Sequence, residues 1–210
     1  MHPNPAFRQT PMAEMIAFAR ARSFGVLVLV APDDPQTGNL PLISHIPFAL
    51  DADARSAELH LARSNPLARA GGGSATLVVS GPDAYVSPDW YGAQDQVPTW
   101  NYVAVHLRGR LEHLPDPALE GHLDRVSAQF EARLAPKAPW TSAKMSDGVM
   151  ARMMRGILPF RLMIEHVQGT WKLNQNKTPD QRAGAAAGIA AGTPGLDPGA
   201  IAALMRGQDR

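Results

Sequence analysis

The stretch Phe24-Gly25-Val26-Leu27-Val28-Leu29-Val30-Ala31 is apolar or β-branched throughout and too short to span a bilayer. Its composition predicts a strand, and the lack of polar alternation predicts burial on both faces. What surrounds it decides the fold class. Upstream, Thr10-Pro11 pairs an N-cap with a proline suited to the first helical position, and Met12, Met15, Ile16 and Ala19 follow as one apolar helical face ending at Arg20 and Arg22. Downstream, Asp33 to Gly38 reads as a turn, and Leu40 to Leu50 as a second strand. Pro41 and Pro47 confine that strand to an edge, an end or a bulge. Ala57 to Arg63 alternates as a third strand. Pro66 to Ala70 makes a short helix stopped by Gly71-Gly72-Gly73, and Ala75 to Ser80 a fourth strand. Tyr85 to Ser87 and Thr99 to Leu114 add further β structure around a loop at Trp90-Tyr91-Gly92.

Asp116-Pro117 repeats the cap-and-proline device. Leu119, Leu123, Val126, Phe130 and Leu134 then keep helical spacing. A shorter helix is predicted over Asp147–Arg155, then a strand over Phe160–Val167, turned at Gln168-Gly169 into a last strand, Thr170–Leu173. Strands that mostly follow one another, rather than alternating with helices, predict a mainly β (α+β) antiparallel sheet or barrel with flanking helices. Beyond Thr178 the composition turns to Ala, Gly and Pro. The expected organisation is one domain over residues 1–178 and a tail over 179–210 with a short helix at Asp197–Arg206.

The bulk composition narrows the chemistry. With 210 residues, 45% hydrophobic and 19% charged, the chain carries enough apolar material for a core. It has no cysteine, which excludes disulfides, thiolate metal sites and cysteine nucleophiles and fits a reducing compartment. No signal-peptide pattern opens the chain, so a soluble cytoplasmic location is expected. The net charge of +1, with Arg and Lys scattered, lends little to a phosphate-backbone partner. The seven histidines lack metal-ligand spacing, so no metal is expected, and neither H-E-x-x-H, G-x-S-x-G nor a Walker loop occurs.

Four segments carry possible chemistry. His60-Leu61-Ala62-Arg63-Ser64-Asn65-Pro66 ends a strand and opens a helical turn. Arg63, Ser64 and Asn65 there offer donors suited to a phosphate, or serve as an ordinary cap beside a solvated arginine. Ser44 and His45 interrupt an apolar strand, where a flat ligand or a core histidine bonded to a carbonyl are the two readings. In Pro98 to His106 and beyond, Val103, Val105, Leu107 and Leu111 share a core face. Trp100, Tyr102, His106, Arg108 and Arg110 share the other, an interface or ligand platform or a face covered by a helix. Trp171-Lys172-Leu173-Asn174-Gln175-Asn176-Lys177 is a strand end rich in amides, able to hold a phosphate or ribityl chain or to form a polar turn. As general acid or base, His45 and Tyr102 are the candidates.

Together these segments resemble the PaiB-like family of FMN-binding negative transcriptional regulators. The matching pieces are Ser44-His45-Ile46-Pro47, His60 to Pro66, Gly81-Pro82 with Tyr85 to Pro88 and Trp90-Tyr91, Val97 to Tyr102 with Val105-His106, Trp171 to Asn176, and Asp180 to Gly184, in family order over roughly residues 1–190. The resemblance implies an FMN-binding split barrel similar to pyridoxamine-phosphate oxidase, with flavin at a homodimer interface, and a repressor role that brings in DNA as a partner. By the same resemblance Arg63, Ser64 and Asn65 take the flavin phosphate and Ser44 and His45 lie near the isoalloxazine. Trp100 and Asn101, with Lys172, Gln175 and Asn176, complete the site, some from the second subunit. Asn174 departs from the usual serine, and the loop from Gly92 to Gln96 is shorter than expected. The alternative functions are a flavin-dependent oxidoreductase using FMN and a nicotinamide reductant, and a cofactor-free scaffold.

Overall fold

The computed structural model describes residues 1–30 and 40–209, so the turn expected at Asp33–Gly38 lies outside the described residues. The elements follow as α1 (Met12–Arg22), β1 (Phe24–Leu29), β2 (Leu42–Pro47), β3 (Ala49–Leu50), β4 (Ser56–Ala62), α2 (Pro66–Ala70), β5 (Gly72–Val86), β6 (Thr99–His113), α3 (Ala118–Glu131), α4 (Val149–Met154), β7 (Ile157–Lys172), α5 (Pro179–Ala191) and α6 (Pro198–Arg206). The strands form one sheet in the order β2-β1-β5-β6-β7-β4-β3. β1 runs antiparallel to β2 and β5, and β4 antiparallel to β3 and β7. The mainly β class with flanking helices is as the sequence predicts.

The chain divides into two compact units. A sheet unit comprises Ala19–Val79 and His106–Val167; a terminal unit comprises Met1–Phe18, Ser80–Val105 and Gln168–Arg210. In the sheet unit, register brings Leu27 opposite Leu77, Leu59 opposite Phe160 and Ala57 opposite Leu162, and all six are buried. Because side chains alternate between faces, a slip of one residue would turn this whole set outward.

Several expectations change here. β1 is not buried on both faces: Gly25, Leu27 and Leu29 are buried, Val26 and Val28 half-buried, and Phe24 is 45% exposed. An apolar run therefore records two apolar faces, of which this unit covers one. The strand expected over Leu40–Leu50 is two strands, β2 and β3, at opposite edges of the sheet. The break falls at Phe48, which is fully buried and donates its N–H to the Ser23 carbonyl at 3.0 Å. Pro47 ends β2 at the sheet edge, where its missing donor is harmless. α3 starts at Ala118 with Pro117, which has no side-chain acceptor, at the N-cap position; Asp116, expected to cap, lies one residue earlier and pairs with Arg63, and Leu134 lies beyond the helix and is exposed. Met12, assigned to the apolar face of α1, is exposed at the helix's first position.

The glycines misled most in the terminal unit. β5 runs unbroken through Gly81-Pro82, and β7 runs unbroken through Gln168-Gly169. Gly169 does not turn the chain; a Cβ there would fall 2.6 Å from the Met15 sulfur and 2.8 Å from the Trp171 ring, so glycine permits close packing on a straight strand. The region after Thr178 forms two helices where one was expected. α5 opens on a capping box between Thr178 and Gln181, and Asp197 caps α6. Gly188 lies against the Trp90 ring, where a Cβ would meet ring carbons at 2.2–2.5 Å, and Ile189, Ile201 and Met205 are buried. Small residues, read as a sign of low structure, here let a helix approach an indole.

Candidate functional site

The candidate residues fall into two groups, one in each unit. In the sheet unit, β4 delivers its last residue at Ala62 and α2 starts at Pro66, so Arg63, Ser64 and Asn65 form the whole connection. Asn65 is the N-cap: its Oδ1 accepts from Leu67 N–H at 3.0 Å, and its Nδ2 donates to Ser44 Oγ at 3.0 Å. One amide thus closes the helix and ties the turn to β2. Ser64 is exposed, and its carbonyl accepts from Arg69 at 3.0 Å. Arg63 donates through Nε to the Arg155 carbonyl at 2.7 Å and faces Asp116 Oδ2 at 3.3 Å, which uses two of its five donors. His45, exposed on β2, stacks loosely with Phe24 at 6.5 Å between centroids and 27° between planes.

In the terminal unit the second group is more enclosed. Lys172, the last residue of β7, donates to Thr99 Oγ1 and, at 2.7 Å, to the Trp100 carbonyl; burial lowers its pKa. Gln175 folds back on its own strand end, accepting from Leu173 N–H at 2.8 Å and donating to the Trp171 carbonyl at 2.5 Å. Asn101 is fully buried and donates to the Met205 sulfur at 3.3 Å, while its Oδ1 has no hydrogen-bond partner. Trp100 is 46% exposed and meets Tyr85 edge to face at 6.1 Å; Asn176 is exposed. Asn174 sits in the left-handed region at φ 61°, which asparagine tolerates, and donates to Tyr91 Oη at 3.2 Å. Burial raises the Tyr91 pKa against that hydrogen bond.

A polar cluster around buried His122 in the sheet unit escaped the sequence reading. Glu58 of β4 accepts from Arg125 of α3 at 2.5 Å and from Arg161 of β7 at 2.7 Å. Burial would raise its carboxyl, but the two guanidiniums overcome this and hold it below the usual range. His122 lies beside it, 3.1 Å from His60. The signal was present: Leu119, His122 and Val126 keep core spacing on α3, and a histidine there must be buried. Among the described residues no group of three or more His, Cys, Asp or Glu side chains is placed to hold a metal ion, and no helix is long and apolar enough to cross a membrane.

The chain is similar in structure to the FAD- and heme-binding protein of Mycobacterium smegmatis, with TM-score 0.56 at 19% identity, covering 90% of this chain and 82% of that one. It is also similar to the flavocytochrome Anf3 of Azotobacter vinelandii, with TM-score 0.57 at 15% identity, covering 97% and 78%. The fold is that of the split-barrel flavoproteins. Residues 1–166 match the family described as "Putative FMN-binding domain", and the chain belongs to that family. Among curated proteins it is 31% identical over 173 residues to the protease synthase and sporulation protein PAI 2 of Bacillus subtilis (strain 168), covering 81% of this chain and 80% of that protein.

Proposed function

We infer that the protein binds flavin mononucleotide as a homodimer and acts as a regulator, with the flavin phosphate on the Arg63-Ser64-Asn65 turn. The observation that carries this reading is the turn itself. A chain of this family presents, at a strand end, an arginine with donors to spare and an exposed serine hydroxyl, with the third residue fixing the turn by its two bonds. The donor set fits a phosphate dianion, which gains from charge-assisted bonds to a planar guanidinium. Asp116 opposes it, and phosphate entry must displace that carboxylate from Arg63. Asn65 and Ser44 act by holding the turn, and exposed His45 offers a flat face beside Phe24. When bound, the flavin supplies electron and hydride transfer.

The homodimer is supported by the outer face of the same unit. Register places Val28 opposite Ile43 and Val26 opposite His45, and Ile43 is 59% exposed, so Phe24, Val26, Val28 and Ile43 form an apolar surface on neighbouring strands. A regulator then works through occupancy or redox state biasing one dimer geometry over another, which requires different flavin affinities for the two.

The test is an absorption titration of the purified chain with FMN and FAD, repeated with NADH and NADPH, alongside sedimentation to fix the oligomeric state. The reading expects a saturable flavin spectrum, a dimer and no sustained nicotinamide oxidation. Steady turnover would establish the oxidoreductase instead, and failure to take up flavin would establish the cofactor-free scaffold. For the regulatory role, binding to DNA must show a salt-sensitive sequence preference.

A further inference from the structure

Helix α3 is fastened to the sheet unit by the cluster that the flavin reading leaves unused. Glu58 and His60 project from one face of β4, two residues apart. Over them α3 lays His122 and Arg125, and β7 brings Arg161, which pairs with Glu58 in register. Strand β3 also packs near α3, and its Ala49 and Leu50 bring no titratable group. The charges around the histidines are therefore one carboxylate and two guanidiniums.

His122 is 1% exposed, with Nε2 3.1 Å from His60 Nδ1. Its other nitrogen, Nδ1, is buried without a hydrogen-bond partner, 3.6 Å from Glu58 Oε2. Two imidazoles at 3.1 Å share one proton: one nitrogen donates and the other must accept. A first added proton leaves that bond in place. A second makes both nitrogens donors, opposes two N–H groups at contact distance, and adds a cation at buried His122 beside two part-exposed guanidiniums. The closed helix thus excludes the doubly protonated pair, whereas released histidines, each near its ordinary pKa of about 6.5, accept both protons.

The two ends of α3 are held differently. At the N-terminal end no side chain caps the helix. Near the C-terminal end Gln129 donates to Ser23 Oγ, and Arg133 donates to the carbonyls of Ala21 at 2.6 Å and Arg20 at 3.0 Å. We propose that His60, His122 and Glu58 form an acid-operated latch: protonation of both histidines releases the N-terminal half of α3, residues 118–126, from β4 while its C-terminal end stays tied.

The direction follows from linkage. Burial, and then the neighbouring His60, push His122 down to about 4, and burial lowers His60. Bases whose closed-state pKa is depressed favour closure above their released value and lose it as pH falls from 6.5 towards 4. Two arginines hold Glu58 below its ordinary value of 4.5, so its own loss begins only as pH falls below 4.5.

The experiment is hydrogen exchange on the full chain between pH 7.5 and 4.5, corrected for the intrinsic rate. Closure that excludes one proton loses about tenfold in protection per pH unit. Residues 118–126 should lose at least that below pH 6.5, while residues 127–131 and 157–163 hold. His60→Gln leaves an amide oxygen able to accept from protonated His122, so its slope should fall to half or less. Protection in 118–126 that ignores pH, a loss spread evenly over the sheet unit, or equal slopes in the wild type and His60→Gln would overturn the latch. Should His60→Gln not fold, the ring resonances of His60 and His122 in the wild type decide. The pair titrates in two steps: a lower midpoint below 6.5 supports the proposal, and both midpoints at or above 6.5 overturn it.

Discussion

The turn at Arg63-Ser64-Asn65 and the strand end at Lys172 to Asn176 are both short polar segments closing a β-strand, yet they use their polar groups in opposite ways. At the turn, the Asn65 side chain closes the helix and ties it to β2, Arg63 spends two of its five donors on Arg155 and Asp116, and Ser64 is exposed. At the strand end, Lys172 and Gln175 direct their bonds back to the chain's own carbonyls and amides, and Asn101 of β6, in the same unit, is buried against a methionine. A donor satisfied internally must break a bond before it can serve a ligand, so the same residue types differ in their readiness to bind. Under the proposed function, ligand recognition falls first to the turn, and the strand end serves folding first.

That assignment can be broken from either side. The largest effect is expected from Arg63→Ala. Loss of a charge-assisted contact is worth about 1.5–3 kcal/mol, so FMN affinity should fall roughly ten- to a hundredfold in a fluorescence titration while the melting temperature barely moves. Gln175→Ala should do the reverse. It removes two local bonds that close β7, at about 1 kcal/mol each, and denaturant unfolding should show the loss with FMN affinity nearly unchanged. Lys172→Met keeps the aliphatic stem and removes the bonds to Thr99 and the Trp100 carbonyl; a loss of about 1 kcal/mol in the same unfolding experiment is expected. The smallest effect is a gain. Asp116→Asn frees Arg63 from a pair whose side chains are 49% and 65% exposed. Such pairs contribute about 0–1 kcal/mol after solvent screening, so FMN should bind up to about fivefold more tightly at low salt, with the gain shrinking as salt rises.

The sequence made the fold class and the turn legible because both rest on local rules. Alternation fixed the core faces of β4 and β6, and the Asn65-Pro66 pair marked the start of α2. It was misleading where tertiary contact overrides a local signal. Ser80 reads as a strand end and Gln168-Gly169 as a turn, but Gly81 and Gly169 each lie within a continuous strand where a neighbouring ring or thioether comes too close for a Cβ. The helix α5 was missed because alanine and glycine carry no hydrophobic stripe; what orders it is a capping box and the flat face of Trp90. Of the site, residue types were readable and their bonding was not. Nothing in the letters says that Gln175 returns to Trp171, or that Asp116 pairs with Arg63. The pairing of His60 with His122 joins residues 62 apart in sequence, beyond the reach of any periodicity.

The central claim is that the Arg63 turn seats a phosphate. It is tested most directly by comparing FMN with riboflavin, which lacks that phosphate, on the wild type and on Arg63→Ala. The account predicts that the wild type binds FMN at least about tenfold more tightly than riboflavin, in line with one charge-assisted contact, and that the gap closes in Arg63→Ala. Equal affinities in the wild type, or a gap untouched by the substitution, would contradict it.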